Sequence, residues 1–394
     1  VRRYAEVWAI PAVRQVLLLG ALCRIPMFGA SVLLTLHVVQ RLDPRYTAAG
    51  VIAMAATLAI GIAGPWRGRM LDRFGLRRTL LPSLIVMPIC WVIAPWVGYW
   101  PLLVLVVISG LFTVPAFSMV RQALAGATSG PQRNTAMALD SVIAEICFMI
   151  GPAAGVFAGT QWGTTWTLMI FQLCLVLGGV VMFWVNPPLR SEGEDTDTEQ
   201  APPSRWVTPA VLAIFAATVA TIVAVTATDL GVVAGLRELG AQWVIGPAMA
   251  VWGLGSAIGG LFYGAISHRV PTWVPVLGLG VTTALIALAT DPWSMTLLLL
   301  LAGVFCAPAF VATTTALSVL VPARFRGEAF GWHGSMITAG GALTAPTIGL
   351  AIDKAGWPAG FVAGGVVAVV IALAWPLVRR VHRRRAHPVS EPVG

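Results

Sequence analysis

Four ionisable residues interrupt runs that are otherwise almost free of charge: Arg24, Asp140, Glu145 and Asp229. Charges in apolar surroundings are costly unless paired, and inside a membrane they mark substrate paths and proton relays. At a helical rise of 1.5 Å per residue, Arg24 lies about 15 Å beyond Arg14 and Glu145 about 18 Å beyond Arg133. These similar depths predict an Arg24–Glu145 pair, with Glu145 taking the proton and Arg24 tuning it or meeting an anionic part of a substrate. A static ion pair that fixes helix positions is the alternative. Asp140 precedes Glu145 by five residues, about 140° round a helix, so it faces elsewhere, in a network nearer one membrane face. Asp229 ends its apolar run, near a surface, where it reads as a cavity acid, an outer gate or a snorkelling residue. Met27, Phe28 and Ser31 follow Arg24 at i+3, i+4 and i+7 and would line the same wall. His37 and His333 fall near the ends of runs, and local partners are expected for both.

A second concentration of chemistry is Gly64-Pro65-Trp66-Arg67-Gly68-Arg69-Met70-Leu71-Asp72-Arg73-Phe74-Gly75-Leu76-Arg77-Arg78. It reads as a charged loop wedged between two apolar runs. Gly260, Gly264, His268 and Arg269 repeat Gly64, Gly68, Asp72 and Arg73 at a constant offset, so the loop recurs with its acid lost. Gly61, Gly64 and Gly68 form a small-residue face of the kind that lets membrane helices approach closely.

The elements that must position these residues follow from composition. The chain is 58% hydrophobic and 10% charged, with mean hydropathy +0.84. Soluble domains average roughly 25% charged residues, so a soluble surface is excluded. Apolar runs of about 20 residues cross the hydrocarbon core. About twelve are found, at 13–40, 47–66, 79–98, 101–121, 135–159, 165–185, 207–229, 243–265, 274–290, 294–320, 329–351 and 357–378. The first is too long for a signal-peptide core and reads as a retained span. The net charge of +9 is held in short arginine clusters between runs, which fits a membrane surface rather than nucleic acid. With the N-terminus inside, all of the 25 basic residues except Arg24, Arg41, Arg45, Arg237 and Lys354 fall on the cytoplasmic side. This predicts a multi-pass protein of the plasma (inner) membrane with both termini cytoplasmic. Residues 1–190 form one six-span unit and 206–378 a second. The acidic, proline-containing stretch 191–205 is a cytoplasmic linker, and 379–394 is a basic tail suited to anionic lipid headgroups. The five cysteines lie inside apolar runs with no metal-ligand spacing, and no metal site is expected.

Over essentially its whole length the chain resembles the major facilitator superfamily. The stretch Gly68 to Arg78 is similar to that family's G-x-x-x-D-R-x-G-R-R signature, with Leu76 delaying the basic pair Arg77-Arg78 by one position. Gly151-Pro152-Ala153-Ala154-Gly155 resembles the G-P-x-x-G-G motif of proton-driven bacterial efflux permeases, with Val156 in place of the last glycine. Ala345-Pro346 and Gly349 stand at the matching place in the second half. The resemblance implies an all-α polytopic fold of 12 transmembrane helices in two pseudo-symmetric six-helix bundles, working by alternating access. It further implies that Asp72 and its neighbours latch the two halves on the cytoplasmic side, against the start of span eleven. Arg121, at the inner end of span four, is the expected partner of Asp72. Proton-coupled efflux of a small amphipathic compound is the expected activity. Uptake by proton symport or facilitated diffusion is the alternative, and a non-transporting receptor or scaffold is the alternative of another class. No G-x-x-x-x-G-K-[ST] phosphate loop is present. Neither an enzyme nor a cofactor is expected, and a proton gradient is the expected energy source.

Overall fold

The computed structural model describes residues 2–42, 46–189, 206–266 and 270–386. The expected linker, His268, Arg269 and the end of the basic tail lie outside the described residues. Within them every regular element is a helix. Hydrocarbon offers no partner for a backbone N–H or C=O, and a helix satisfies both within itself.

The first half comprises α1 (Arg2–Trp8), α2 (Pro11–His37), α3 (Tyr46–Ile93), α4 (Tyr99–Leu111), α5 (Ala116–Ala127), α6 (Gly130–Trp162) and α7 (Thr164–Val185). The second comprises α8 (Pro209–Glu238), α9 (Ile245–Ala265), α10 (Trp273–Leu285), α11 (Pro292–Leu320), α12 (Arg326–Ala355) and α13 (Trp357–Ala386). Ten stretches are long and apolar enough to cross a membrane, among them Tyr99–Ala127, which joins α4 and α5. One of the ten, α3, reverses at Gly75 (φ 75°, ψ −179°) and so crosses twice. The shorter apolar stretch Trp273–Leu288 adds another. Twelve crossings result among the described residues, six in each half.

Turn chemistry repeats between the halves. Gly163 before α7 and Gly356 before α13 both sit at φ 79°. The start of α11 is closed by Asp291, whose Oδ1 accepts from the amides of Trp293 (2.9 Å) and Ser294 (3.1 Å), satisfying donors that a helix start leaves free.

The charged stretch from Gly64 is not a loop. Its residues up to Phe74 continue the helix of the second crossing, and only Gly75 leaves helical geometry. Arginine is a good helix former, so a run of them does not end a helix; a positive φ does, and glycine adopts it at no steric cost. Arg67 stitches the two arms of α3 together: it is buried and donates from Nη2 to the Thr79 carbonyl at 2.6 Å and to Ser83 Oγ.

The halves meet along two seams, both at the arginine-rich end. On the first, α3 lies directly on α12. A Cβ at Gly68 would run into the Gly327 carbonyl, and one at Gly331 into the Gly64 carbonyl. One turn further from that end, a Cβ at Gly61 would make only ordinary contact with Ala339 at 3.9 Å, and at Gly50 it would meet nothing. The two helices therefore diverge away from the arginine-rich end. On the second seam α6 meets α9: Thr135 Oγ1 donates to the Gly264 carbonyl at 2.7 Å and Asn134 Nδ2 to the Tyr263 carbonyl at 3.0 Å. The helix α1 reaches over to the same place. Arg3 Nη1 donates to the Ala265 carbonyl at 3.0 Å, closing a carbonyl that the helix end leaves open, and Tyr4 Oη donates to the Leu261 carbonyl one turn earlier.

A Gly68→Ala variant will lose about 1–3 kcal/mol, the usual cost of overpacking, because neither backbone can yield. Gly50→Ala will be neutral or slightly stabilising, since alanine is the better helix former. Thermal unfolding midpoints of the two purified variants will show the difference.

Candidate functional site

Between the halves lies a cavity of about 290 Å³, lined from α2, α5, α6, α8, α9, α11 and α12. Its wall is chiefly aromatic and aliphatic, with Phe28, Phe117, Phe148, Trp252, Phe310 and Ile337 prominent. Phe28 packs edge-on against Phe148, with centroids 5.3 Å apart. Of the three residues placed beside Arg24 by spacing, Phe28 is the one that lines the cavity. The polar atoms in the wall are few: Glu145, Asp229, Arg121, Ser141, Thr338 and the indole of Trp252. The buried Trp252 Nε1 has no hydrogen-bond partner.

Asp229 is inside this cavity and not at a helix end. The helix α8 runs nine residues beyond it, to Glu238, with Gly231, Val232, Gly235 and Leu236 buried. The apolar run was read as ending at Asp229 because an acid stops a hydropathy count, although it does not stop a helix.

The expected Arg24–Glu145 pair is replaced by Arg24–Asp140. Arg24 Nη1 lies 2.6 Å from Asp140 Oδ1, and both side chains are buried. Asp140 stands lower on α6 than the rise arithmetic favours, but the arginine side chain is long enough to bridge a turn. Glu145, on a different face of α6, turns to the other half, where Ser256 Oγ donates to its Oε1 at 3.2 Å. Arg121 shares Asp140, with Nε 3.7 Å from Oδ2. The ring of Phe117 lies between the two guanidinium groups, 4.3 Å from that of Arg24 and 5.3 Å from that of Arg121, a cation–π arrangement.

Asp72 finds its partners on α12. Its Oδ1 accepts from the Gly327 amide at 2.7 Å and its Oδ2 from the Glu328 amide at 2.8 Å. These are first-turn amides, the donors that a helix leaves open, at the end where its dipole favours an anion. Gln122 Nε2 adds a third bond at 3.0 Å. Arg121 was expected here; it is one residue out of phase, so Gln122 faces Asp72 while Arg121 faces the cavity side. Arg69 pairs with Glu328 at 2.7 Å, with its own side chain 56% exposed, so solvent screens that pair and it adds little. Arg77 caps the end of α7, donating to the Phe183 and Trp184 carbonyls at 3.1 and 3.4 Å. Arg73 and Arg78 are exposed.

The remaining motif residues are packing positions. A Cβ on Gly151 would come within 2.6 Å of the Ile25 carbonyl and one on Gly155 within 2.9 Å of the Gly29 carbonyl, so α6 and α2 cross backbone to backbone beside Pro152. Gly264 lies against Ala138 and Tyr4. Two participants escaped the sequence reading. His333 is fully buried and bonded to Arg121 across the halves, at 3.2 Å, not satisfied locally at a span end. It sits two turns inside α12, because that helix begins at Arg326. The other is α1, whose Arg3 and Tyr4 reach α9. The signal for His333 was an imidazole among glycines (Gly331, Gly334) in an otherwise apolar helix.

The sequence profile of the Major Facilitator Superfamily matches residues 16–289 and again 210–393. No curated protein matched the chain in a sequence search. Solved structures match nearly end to end. The human organic anion transporter MFSD10 is 16% identical with a TM-score of 0.73, over 92% of this chain and 98% of its own. A bacterial homologue of the iron transporter ferroportin, solved in an outward-facing state, is 12% identical with a TM-score of 0.74, over 93% and 100%. The E. coli fucose:proton symporter is 14% identical with a TM-score of 0.65, over 91% and 98%. At these identities the likeness is one of fold.

Replacing Asp72 by Asn keeps its shape but removes the charge and one acceptor from the α12 amides. The loss is about 1–3 kcal/mol, as for hydrogen bonds to a charged group. A thiol-reactive probe at a cysteine introduced at the arginine-rich end will then react roughly tenfold faster or more, whereas His268→Ala will change the rate far less.

Proposed function

Because the chain belongs to the major facilitator superfamily, a family of membrane transporters that bind small molecules, we propose that it is a secondary active transporter. It works by alternating access and exports a small amphipathic compound in exchange for protons. The observation that carries this reading is the cavity wall: aromatic and aliphatic over most of its area, drawn from both halves, with two carboxylates and no carbohydrate-like density of polar groups. Such a wall suits a compound with a large apolar body.

In this reading the cavity is the substrate site, and Glu145 and Asp229 are where proton and substrate compete. The site needs no cofactor; the proton gradient supplies the energy. Arg24 and Asp140 form the scaffold beneath the cavity. The stretch Gly64, Gly68, Asp72, Arg73, Gly75, Arg77 and Arg78, with its receiving turn on α12, acts as the inner gate. The excess of arginine supports placing that end, with both termini, in the cytoplasm of a cell whose plasma membrane holds the protein. The closed seams at that end then correspond to a carrier open outward. The resemblance of Gly151-Pro152-Gly155 to the exporter motif supports the direction. Uptake by proton symport is the competing direction, supported by the fold shared with the fucose:proton symporter.

Purified protein in proteoliposomes under an imposed pH gradient tests this with a panel of amphipathic and polar substrates. Substrate will move against the proton flow, and Glu145→Gln will abolish the pH dependence while inserting normally. Unchanged pH-driven transport in that variant refutes the role of Glu145, and co-movement of proton and substrate refutes antiport.

A further inference from the structure

A histidine joins the two halves at the floor of the cavity. His333 Nδ1 lies 3.2 Å from Arg121 Nη1, and its Nε2 lies 3.2 Å from Thr313 Oγ1. A guanidinium only donates, so Nδ1 accepts. The neutral ring then carries its proton on Nε2 and donates it to Thr313, whose own hydroxyl donates to the Phe310 carbonyl at 2.9 Å. Arg121 thus fixes both the charge state and the tautomer of His333 in this conformation. An imidazolium has no acceptor. It would turn an N–H towards Arg121 and set two cations 3.2 Å apart at a buried site.

The surrounding charges do not relieve that conflict. Arg121 comes from α5, with Asp140 of α6 behind it, and Asp140 already serves Arg24 of α2. From α11 the facing group is the neutral Thr313. From α8 it is Asp229, in the cavity wall. From α3, Asp72 and Arg69 are held by the first turn of α12, and Glu328 of α12 itself is paired with Arg69. Glu145 behaves differently. Its bond from Ser256 also crosses the halves, but a protonated carboxyl still has an accepting oxygen, so that contact survives protonation.

We propose that His333 carries a coupling proton: uptake at Nδ1 breaks its contact with Arg121 and releases the halves at the arginine-rich end, and loss of the proton reseals them. The hydrogen bond from Arg121 is exchanged for an N–H bond, and the proton arrives from the cavity, whose wall includes Gly334, Ile337 and Thr338 of the same helix. Its use in transport rests on the proton-coupled reading above; the linkage between protonation and opening needs no substrate.

The test is therefore made without substrate. Spin labels at Gln132→Cys and Val207→Cys, in a Cys174→Ala background since the other four cysteines are buried, report the separation of the halves at that end by pulsed electron paramagnetic resonance. The protein in nanodiscs is titrated from about pH 8 to about pH 5.5, across the ordinary histidine range. The open population of the wild type will rise towards the one-proton limit of about tenfold per pH unit below about 6.5. His333→Gln, which can still accept from Arg121 and donate to Thr313, will stay closed with a flat response. Arg121→Gln is the second variant: its amide can turn an oxygen to the imidazolium, so its response will also flatten. A wild type indifferent to pH overturns the proposal, and so does a His333→Gln or Arg121→Gln chain that titrates like the wild type. Because no flux is measured, these outcomes are independent of the direction of transport and of the Glu145 result.

Discussion

One buried carboxylate serves two arginines. Asp140 takes Arg24 on one oxygen and Arg121 on the other, at 2.6 and 3.7 Å. Removing one partner from such a group leaves an uncompensated buried charge, typically at a cost of 3–5 kcal/mol. This is why α2, α5 and α6 cannot shift independently beneath the cavity. The balance is uneven, with two cations against one anion, and Arg24 Nε and Nη2 have no hydrogen-bond partner. The surplus is softened on one side by the face of Phe117 and on the other by the lone pair of His333. The second relief lies in the other half of the molecule. The scaffold of the first half thereby depends on how the halves are docked.

The interior acids divide by what they touch. Asp72 and Asp140 are saturated by fixed partners and behave as structural anions. Glu145 and Asp229 face an apolar cavity, and among the described residues Ser256 is the single hydrogen-bond donor to either. A carboxylate facing an apolar wall is costly unless it is neutralised or paired, and either a proton or a cation in the cavity would relieve that cost. Groups left unsaturated in a cavity between the halves are where exchange of one occupant for another is least costly.

The sequence made the fold and the Asp72 stretch legible because both impose narrow local requirements. A crossing needs a run of apolar residues, and a backbone-to-backbone seam needs glycine at helical spacing, as at Gly64 and Gly68. The partner of a charge is a property of three dimensions, which spacing along the chain does not carry. Rise along a helix put Arg24 level with Glu145, but the azimuth of Asp140 and the length of the arginine side chain decided the pairing. Arg121 and Gln122 are neighbours, and nothing in the pattern says which one looks towards Asp72. The extent of α8 was misread because hydropathy marks where lipid ends rather than where a helix does. His333 was misplaced for a related reason: the start of α12 is set by the Asp72 contact, which is itself tertiary.

The two seams repeat the same geometry with different chemistry. On the first, a carboxylate sits on the amides of a helix start, with the solvent-screened Arg69–Glu328 pair beside it. On the second, neutral side chains of Asn134 and Thr135, with Tyr4 and Arg3 from α1, donate to the carbonyls of a helix end. Helix starts attract anions and helix ends attract donors, so each seam uses the group that its helix terminus calls for. The consequence is an asymmetry that the internal repeat alone does not contain. The first seam is held by charge, and salt or protonation can loosen it. The second is held mostly by uncharged bonds and yields mainly to geometric separation. The seam of α3 and α12 is therefore the one that a change of charge weakens more, and the seam of α6 and α9 the one that it leaves nearly intact.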